Sequence, residues 1–133
     1  MAVQLSVAVR NAMLDELEAT IGQNAVLKIR TGGAPATCAT ADSGTVLATI
    51  SLDYNWMNDA GSGSKTKNGT WEDASSDNSG TALHFRLYAS DGTTCHMQGT
   101  VGVGSGDLQV DNTTFAAGQT FTITSFTLTA GNA

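Results

Sequence analysis

A helical repeat of apolar residues marks the start of the chain. The repeat has a spacing of four and consists of Val9, Met13, Leu17 and Ile21, with Leu14 alongside. This spacing places the apolar side chains on one stripe of an amphipathic helix. Ser6 suits the N-cap, and Gly22 suits the position just after the last turn. We therefore predict one helix over residues 6–22.

From residue 25 onward the apolar pattern has the period of two that is typical of strands. Residues 25–31 predict a strand with Leu27 and Ile29 buried, and with Lys28 and Arg30 solvated. Residues 46–52 predict a second strand. Residues 32–44, which hold the only proline, predict a long loop. Residues 54–68 contain GlySerGlySer and two lysines, and predict a flexible loop outside the core.

Residues 81–103 predict a hairpin whose register follows from its apolar faces. The turn is SerAspGly at 90–92, with Gly92 in the left-handed conformation of a G1 bulge. A three-residue loop sets apolar side chains against apolar ones, whereas a two-residue loop does not. The expected pairs are Leu87 with Cys95 and Phe85 with Met97 on the core face, and Arg86 with His96 and Tyr88 with Thr94 on the outer face.

The C-terminal part of the chain predicts two further strands, over residues 108–111 and 120–129. The last strand changes parity along its length, because Phe121 and Ile123 share one parity whereas Phe126 and Leu128 share the other. A β-bulge near residues 124–125, or a switch from one sheet to another, would bring both pairs to one core.

Short strands separated by frequent turns indicate the fold class. We predict a single, mainly β domain over residues 1–133. Residues 25–133 are expected to form an antiparallel two-sheet sandwich, a class that includes the jelly rolls, behind the N-terminal α-helix.

The charge balance argues against nucleic acid as a partner. The formal net charge is −6, and the six Lys and Arg residues are scattered, so no basic stripe exists to face a phosphate backbone. The N-terminus lacks the basic segment of a signal peptide, and no apolar run reaches the length of a membrane span. We therefore expect synthesis in the cytoplasm, no secretion by a signal peptide and no membrane contact.

The residues that most often carry chemistry do not form a known motif. His84 and His96 are expected on the outer face of the hairpin as surface side chains. Cys95 and His96 are neighbours in a strand and face opposite sides, which excludes a nucleophile–base pair and makes Cys95 a small core residue. The wide separation of Cys38 and Cys95 fits neither a CxxC motif nor a zinc site, and favours free thiols over a disulfide.

An acidic cluster and a set of aromatic residues raise further hypotheses. The cluster of Glu72, Asp73 and Asp77 would suit calcium or catalytic carboxylates, but its spacing misses the EF-hand and its composition is that of a turn. Four aromatic residues would suit a sugar-stacking platform, or packing at a sandwich edge or subunit contact: Tyr54, Trp56, Trp71 and Tyr88. We favour packing, and we expect no enzyme, no cofactor and no metal site.

Two stretches resemble a group of short proteins encoded in tailed-phage and prophage genomes. The first is VRNAMLDELEATIG at residues 9–22 with VLKIRTGGAP at residues 26–35. The second is GTWEDAS at residues 69–75 with GTALHFRLYASDGTTCHMQGTV at residues 80–101. The similarity extends over nearly the whole chain and implies a virion structural protein. It assigns no functional residues.

From the resemblance we expect a homo-oligomeric or lattice-bound virion protein, foremost a capsid decoration (cement) protein. Its partners would be its own copies and the major capsid protein. Val9, Met13 and Leu17 are expected to contact either the sandwich or a neighbouring subunit, and Trp56 and Trp71 are further interface candidates. The alternatives are a tail or tail-tip component, and a carbohydrate- or receptor-binding module with an exposed tryptophan.

Overall fold

A computed structural model describes residues 3–130 of the chain. The helix α1 spans Val7–Ile21. Its N-cap is Ser6, whose Oγ accepts a hydrogen bond from the backbone N–H of Val9 at 3.2 Å. Gly22 ends the helix with a φ of 97°, and its N–H donates to a carbonyl of the last turn. Both caps satisfy backbone groups that helix ends leave free. The predicted helix is confirmed.

Ten strands follow α1 within residues 3–130. In chain order they are β1 (Val26–Arg30), β2 (Val46–Ser51), β3 (Ser64–Thr66), β4 (Glu72–Asp73), β5 (Gly80–Thr81), β6 (His84–Tyr88), β7 (Cys95–Gly102), β8 (Leu108–Val110), β9 (Thr114–Phe115) and β10 (Phe121–Thr129). The strands predicted near β1, β2, β8 and β10 are confirmed. The four short strands β3, β4, β5 and β9 lie in segments that the sequence pattern assigns to loops or leaves unassigned.

The strands form one large curled sheet and one small sheet, which together make a sandwich-like fold. The large sheet has the order β2-β1-β6-β7-β8-β10-β3, and β4 pairs with β10 beside this path. Strands β5 and β9 pair with each other. The predicted fold class, mainly β and sandwich-like with one N-terminal helix, is confirmed.

One strand pair departs from the expected antiparallel arrangement. Strands β7 and β8 run parallel, although only residues 103–107 connect them. The close return requires glycine, since a Cβ at Gly102 would lie 2.6 Å from the carbonyl oxygen of Ser105. Asp107 closes the turn by accepting hydrogen bonds from the backbone N–H and the hydroxyl of Thr100. The segment between β7 and β8 is therefore a defined turn.

Aromatic side chains from distant parts of the sequence form the centre of the core. The ring centroids of Trp56 and Trp71 are 6.2 Å apart, and those of Trp71 and Phe126 are 5.7 Å apart. Phe85 packs with its edge toward Phe126, also at 5.7 Å. Tilted and edge-on contacts of this kind suit the charge distribution of aromatic rings. The cluster joins β6 and β10 to the segments that precede β3 and β4.

The last strand contains the predicted bulge. The register of β10 against β8 shifts between Ile123 and Ser125, which leaves Thr124 without a partner in the ladder. Because one residue is left out, the apolar side chains before and after the shift face one core. These are Phe121, Ile123 and Phe126, with Leu128 packed against their edge.

The hairpin of β6 and β7 exists, but its predicted register is wrong. Gly92 has the expected left-handed conformation, with a φ of 72°. The observed pairs are Leu87 with Met97, Phe85 with Gly99, Arg86 with Gln98, and Tyr88 with Cys95. The turn is longer because the carboxylate of Asp91 accepts the backbone N–H groups of Thr93 and Thr94, each at 2.9 Å. Apolar alternation carries no signal for that local bonding.

Strand β6 is buried on both faces, which corrects a second expectation. His84, Arg86 and Tyr88 were expected in solvent, but they are 0%, 1% and 0% exposed. The loop over residues 32–44 covers them. The Nδ1 atom of His84 lies 2.6 Å from the carbonyl oxygen of Gly32 in that loop. Polar residues in a strand therefore do not indicate a solvated face when a long loop covers that face.

The guanidinium group of Arg86 holds this loop in place. It donates to the carbonyl oxygens of Thr37, Cys38 and Thr40 at 3.2, 2.9 and 3.0 Å, and to the carboxylate of Asp42. Arginine suits this position because its planar group carries five donors and stays charged when buried. One side chain thus supplies the hydrogen bonds that a buried loop backbone requires.

Asp42 joins Arg86 to Arg30 and Tyr88. It lies 3.1 Å from the guanidinium of Arg30 and accepts a hydrogen bond of 2.6 Å from the hydroxyl of Tyr88. Partial burial by itself raises the pKa of Asp42, but hydrogen bonds from Tyr88 and Arg86 and the charges of both arginines hold it below its usual value. Burial and the bond to Asp42 raise the pKa of Tyr88 to about 12. Arg30 is consequently buried, and its predicted solvated position is wrong.

Replacing Arg86 by methionine should lower the free energy of unfolding by about 3 kcal/mol, because Asp42 and three loop carbonyls lose their donor. Urea denaturation followed by tryptophan fluorescence measures the change. Lys67→Met is the matched control, since Lys67 is only partly buried and its ammonium donates to the carbonyl of Gly69 in an exposed hydrogen bond. Equal stability of the two variants would contradict the role given to Arg86.

Asp42 should make the fold sensitive to acid. Its pKa is lower in the folded chain than in the unfolded chain, so the unfolded chain takes up the proton first as the pH falls. The stabilising contribution of Asp42 is therefore present above about pH 4 and is lost below it. The difference in unfolding free energy between wild type and Asp42→Asn should be largest near about pH 6 and shrink toward about pH 3. Urea titrations at each pH measure it, and a constant difference would contradict the assignment.

Candidate functional site

The helix α1 is attached to the rest of the chain by its polar side. The carboxylate of Asp15 lies 2.7 Å from the ammonium nitrogen of Lys65, and the carboxylate of Glu18 lies 3.4 Å from it. Lys65 is on β3 and is only 2% exposed, so the two carboxylates compensate a buried positive charge. The hydrogen bond from Lys65 lowers the pKa of Asp15 below its usual value.

Backbone groups of the segment before β3 reinforce this attachment. Three helix side chains accept backbone N–H groups: Asn11 from Gly63 at 2.9 Å, Asp15 from Ala60 at 2.9 Å, and Glu18 from Met57 at 2.7 Å. Side chains at positions 11, 15 and 18 lie on one side of a helix. The indole N–H of Trp56 donates to the carbonyl of Gly22 at 2.9 Å. The polar side of α1 is thus fixed along its length.

Residues 54–68 contribute to the core, so their predicted exclusion from it is wrong. Trp56 and Met57 are 0% exposed, and β3 pairs with β10 through Lys65. The GlySerGlySer sequence at 61–64 is a tight turn, and its first and last residues exchange backbone hydrogen bonds of 2.9 Å. The segment was predicted as a loop because its composition is polar. Lys65 is buried because carboxylates on α1 compensate its charge, and the local sequence of the segment does not show them.

Three of the four residues of the apolar stripe of α1 face away from the core, and the fourth, Ile21, packs into it. Val9, Met13 and Leu17 are 46%, 52% and 38% exposed, whereas Leu14 and Ile21 are buried. Because side chains four positions apart lie one above the other, the three exposed ones form a continuous apolar strip. We call Val9, Met13 and Leu17 the outward strip.

A shallow depression of about 200 Å³ lies against the outward strip. It is lined by Met13, Glu16, Leu17, Thr20, Ile21 and His96. His96 is exposed, as the sequence predicts, and it is the residue of β7 that reaches this depression. An apolar wall with a few polar groups at its edge is typical of the small pockets that receive anchoring side chains at protein interfaces.

The other interface candidates lie in the core. Trp56 and Trp71 are 0% and 3% exposed, and the indole N–H of Trp71 donates to the carbonyl of Asn68 at 3.2 Å. Neither ring offers a face to a subunit or to a sugar, which corrects both hypotheses for these residues. Tyr88 is buried as well, and Tyr54 is 64% exposed. The rings of Trp56 and Trp71 pack on each other in the centre of the core.

The residues considered for metal binding or catalysis do not converge. His84 is buried under the loop, whereas His96 is exposed beside α1. Within residues 3–130, no group of three or more His, Cys, Asp or Glu side chains is placed to hold a metal ion. In the acidic cluster, Asp73 and Asp77 accept hydrogen bonds of 2.9 and 2.8 Å from the N–H and hydroxyl of Thr49. These bonds tie β4 and the bend that follows it to β2; the turn prediction agrees with the bend at Asp77, whereas Glu72 and Asp73 form β4.

Comparison of the chain with protein-family models, with curated proteins and with solved structures gives no match. In the part of the chain that the structure describes, no helix combines the length and the apolar composition needed to cross a bilayer. The outward strip of α1 is the exposed feature that bears on function.

Lys65 is the functional residue that the sequence pattern missed. It lies 50 residues from Asp15 in the sequence, so no local spacing connects the two. The helix sequence does indicate a second face that could pack inward, because Asn11, Leu14 and Glu18 follow helical spacing. That face carries fewer apolar residues than the outward strip, and its contacts with Lys65 and with the segment before β3 turn it inward.

Neutralising both carboxylates, as Asp15→Asn with Glu18→Gln, should lower the free energy of unfolding by about 3 kcal/mol, because the ammonium of Lys65 then stays buried without a counter-charge. Glu16→Gln is the matched control, since Glu16 is exposed and bonds only within the helix, to the hydroxyl of Thr20. Urea denaturation measures both. A double variant as stable as the control would mean that these ion pairs do not hold α1.

Proposed function

We propose that the chain is a structural subunit that binds other proteins through the outward strip of α1, and that it serves as a bacteriophage virion protein, foremost a capsid decoration protein. One observation carries the proposal. The acidic side of the helix is tied to Lys65, and the apolar Val9, Met13 and Leu17 are left facing solvent. A helix that faces solvent ordinarily presents its polar side, so the reversed orientation favours a partner.

The size of the outward strip favours a lattice-bound protein over a dimer that forms in solution through this strip alone. Covering the exposed halves of the three side chains contributes about 3 kcal/mol at most. Association of two free molecules costs about 4 kcal/mol or more in lost freedom of motion. The strip therefore needs further contacts, and a subunit in a particle obtains them because several neighbours hold it at once. This favours particle-bound copies with the major capsid protein and sister subunits as partners.

A tail or tail-tip component would use the same surface, and it is the alternative location in the virion. Carbohydrate recognition receives no support from the aromatic residues, since Trp56 and Trp71 are occupied in the core. The low content of charged residues, 14% of the chain, fits a surface that is partly covered, because charge is depleted at the centre of protein interfaces.

The proposal is tested with particles of the phage whose genome encodes the chain, assembled without it. Purified wild-type chain is added to tailless capsids and, separately, to isolated tails, and the bound fraction is measured by sedimentation. Leu17→Lys should weaken capsid binding by about tenfold or more, because it sets a charge in the strip. The fold should be unchanged, since Leu17 is partly exposed.

Leu83→Lys is the matched control, because Leu83 is an exposed leucine, 52% accessible, on a different part of the surface. It should bind capsids like the wild type. Binding to tails alone would assign the tail location. Binding to neither particle, or equal binding by both lysine variants, would overturn the proposed role of the strip.

A further inference from the structure

A bulge in the hairpin moves Cys95 out of the core. The register of β6 against β7 shifts between Leu87 and Tyr88, so Leu87 pairs with Met97 and Tyr88 pairs with Cys95. Residues directly opposite each other in an antiparallel pair share a face, so Cys95 lies on the face of Tyr88 and not on that of Leu87. The predicted core position of Cys95 is therefore wrong, and the residue is partly buried on the opposite side.

That side of the sheet is the one that the loop over residues 32–44 covers. Arg86 donates to the carbonyl oxygen of Cys38 at 2.9 Å. The side-chain amide of Gln98, on β7, donates to the carbonyl of Pro35 at 2.6 Å. The loop is thus bonded to both strands of the hairpin, and Cys38 is held above the strand pair that contains Cys95.

Both thiols are free, and they are close enough to interact electrostatically. Burial raises the pKa of the Cys95 thiol, a hydrogen bond with Cys38 and its charge raise the pKa further, and the charge of Arg86 lowers it. Arg86 bonds to the carbonyl of Cys38, and Cys95 lies on the same face of the hairpin, so both thiols lie near the guanidinium that organises the loop. A second thiol near the first distinguishes this site from an isolated buried cysteine.

We propose that Cys38 and Cys95 form an intramolecular disulfide on exposure to a low-molecular-weight disulfide, and that the bond clamps the loop to β7. The thiolate of one cysteine attacks a sulfur of the small disulfide, which forms a mixed disulfide and releases one small thiol. The thiolate of the other cysteine attacks the mixed disulfide and releases the second small thiol. The protein thiols lose two electrons and two protons, and the small disulfide takes up both. This inference is independent of the proposed function.

The bond would close a long segment of the chain, since five strands lie between the end points: β2 to β6. Cross-links that close long segments restrict the unfolded chain most. The folded chain already holds both cysteines on the face of the hairpin that the loop covers, so the bond requires only a local rearrangement of the loop. The oxidised protein should therefore be more stable than the reduced protein.

The test treats the purified, reduced chain with oxidised glutathione and follows intact mass and free thiols. The wild type should lose about 2 Da, for two hydrogen atoms, and both free thiols. Its melting temperature should rise by about 10 °C, and dithiothreitol should reverse the rise. Cys38→Ser and Cys95→Ser should each take up one glutathione instead, and the double serine variant should melt at one temperature under both conditions.

Three results would overturn the inference. The wild type could accumulate only glutathione adducts, or it could form disulfides only between two chains. It could also form the intramolecular bond without a rise in melting temperature, which would show that the native loop does not accommodate it. Each result is read from intact mass, non-reducing electrophoresis and thermal denaturation of the same samples.

Discussion

The ion pairs between Lys65 and the carboxylates of Asp15 and Glu18 decide what the molecule presents to its surroundings. A buried ammonium group is stable only beside a counter-charge, and α1 supplies two carboxylates from one side. The side of the helix that carries them must therefore face the sheet. Val9, Met13 and Leu17 are left facing solvent, and the proposed binding surface follows from this buried charge together with the backbone bonds to the same side of the helix.

A second polar network has a comparable effect on the opposite part of the fold. Arg86 and Asp42 satisfy the backbone of the loop over residues 32–44, which crosses the outer face of β6. This cover buries both faces of a strand that alternates polar and apolar residues. It also brings Cys38 to Cys95, so the same loop that closes the fold creates the proposed redox site. In both networks, charged groups make directional hydrogen bonds and ion pairs, which apolar side chains do not provide.

The parts of the fold that followed from the sequence depend on contacts between near neighbours. The caps of α1 and the bulge near Thr124 were predicted because each needs only a local pattern: a serine and a glycine at the helix ends, and a change of parity within one strand. The hairpin register was predicted wrongly, because the Asp91 carboxylate lengthens the turn through bonds that apolar alternation does not report. The strand β3 was missed because its central residue is a lysine.

The sequence by itself determined the helix, the period-two strands, the mainly β class and the presence of an apolar stripe on α1, since each depends on side-chain periodicity along a single element. Only the tertiary structure decided that Val9, Met13 and Leu17 face outward, that Trp56 and Trp71 are core residues, and that Cys38 lies over the strand pair that contains Cys95. These outcomes depend on groups far apart in the sequence: a lysine whose counter-charges lie on α1, rings that fill one common space, and an arginine that draws a loop across a strand. A charged side chain is buried where a partner compensates its charge, and the local sequence pattern does not identify that partner.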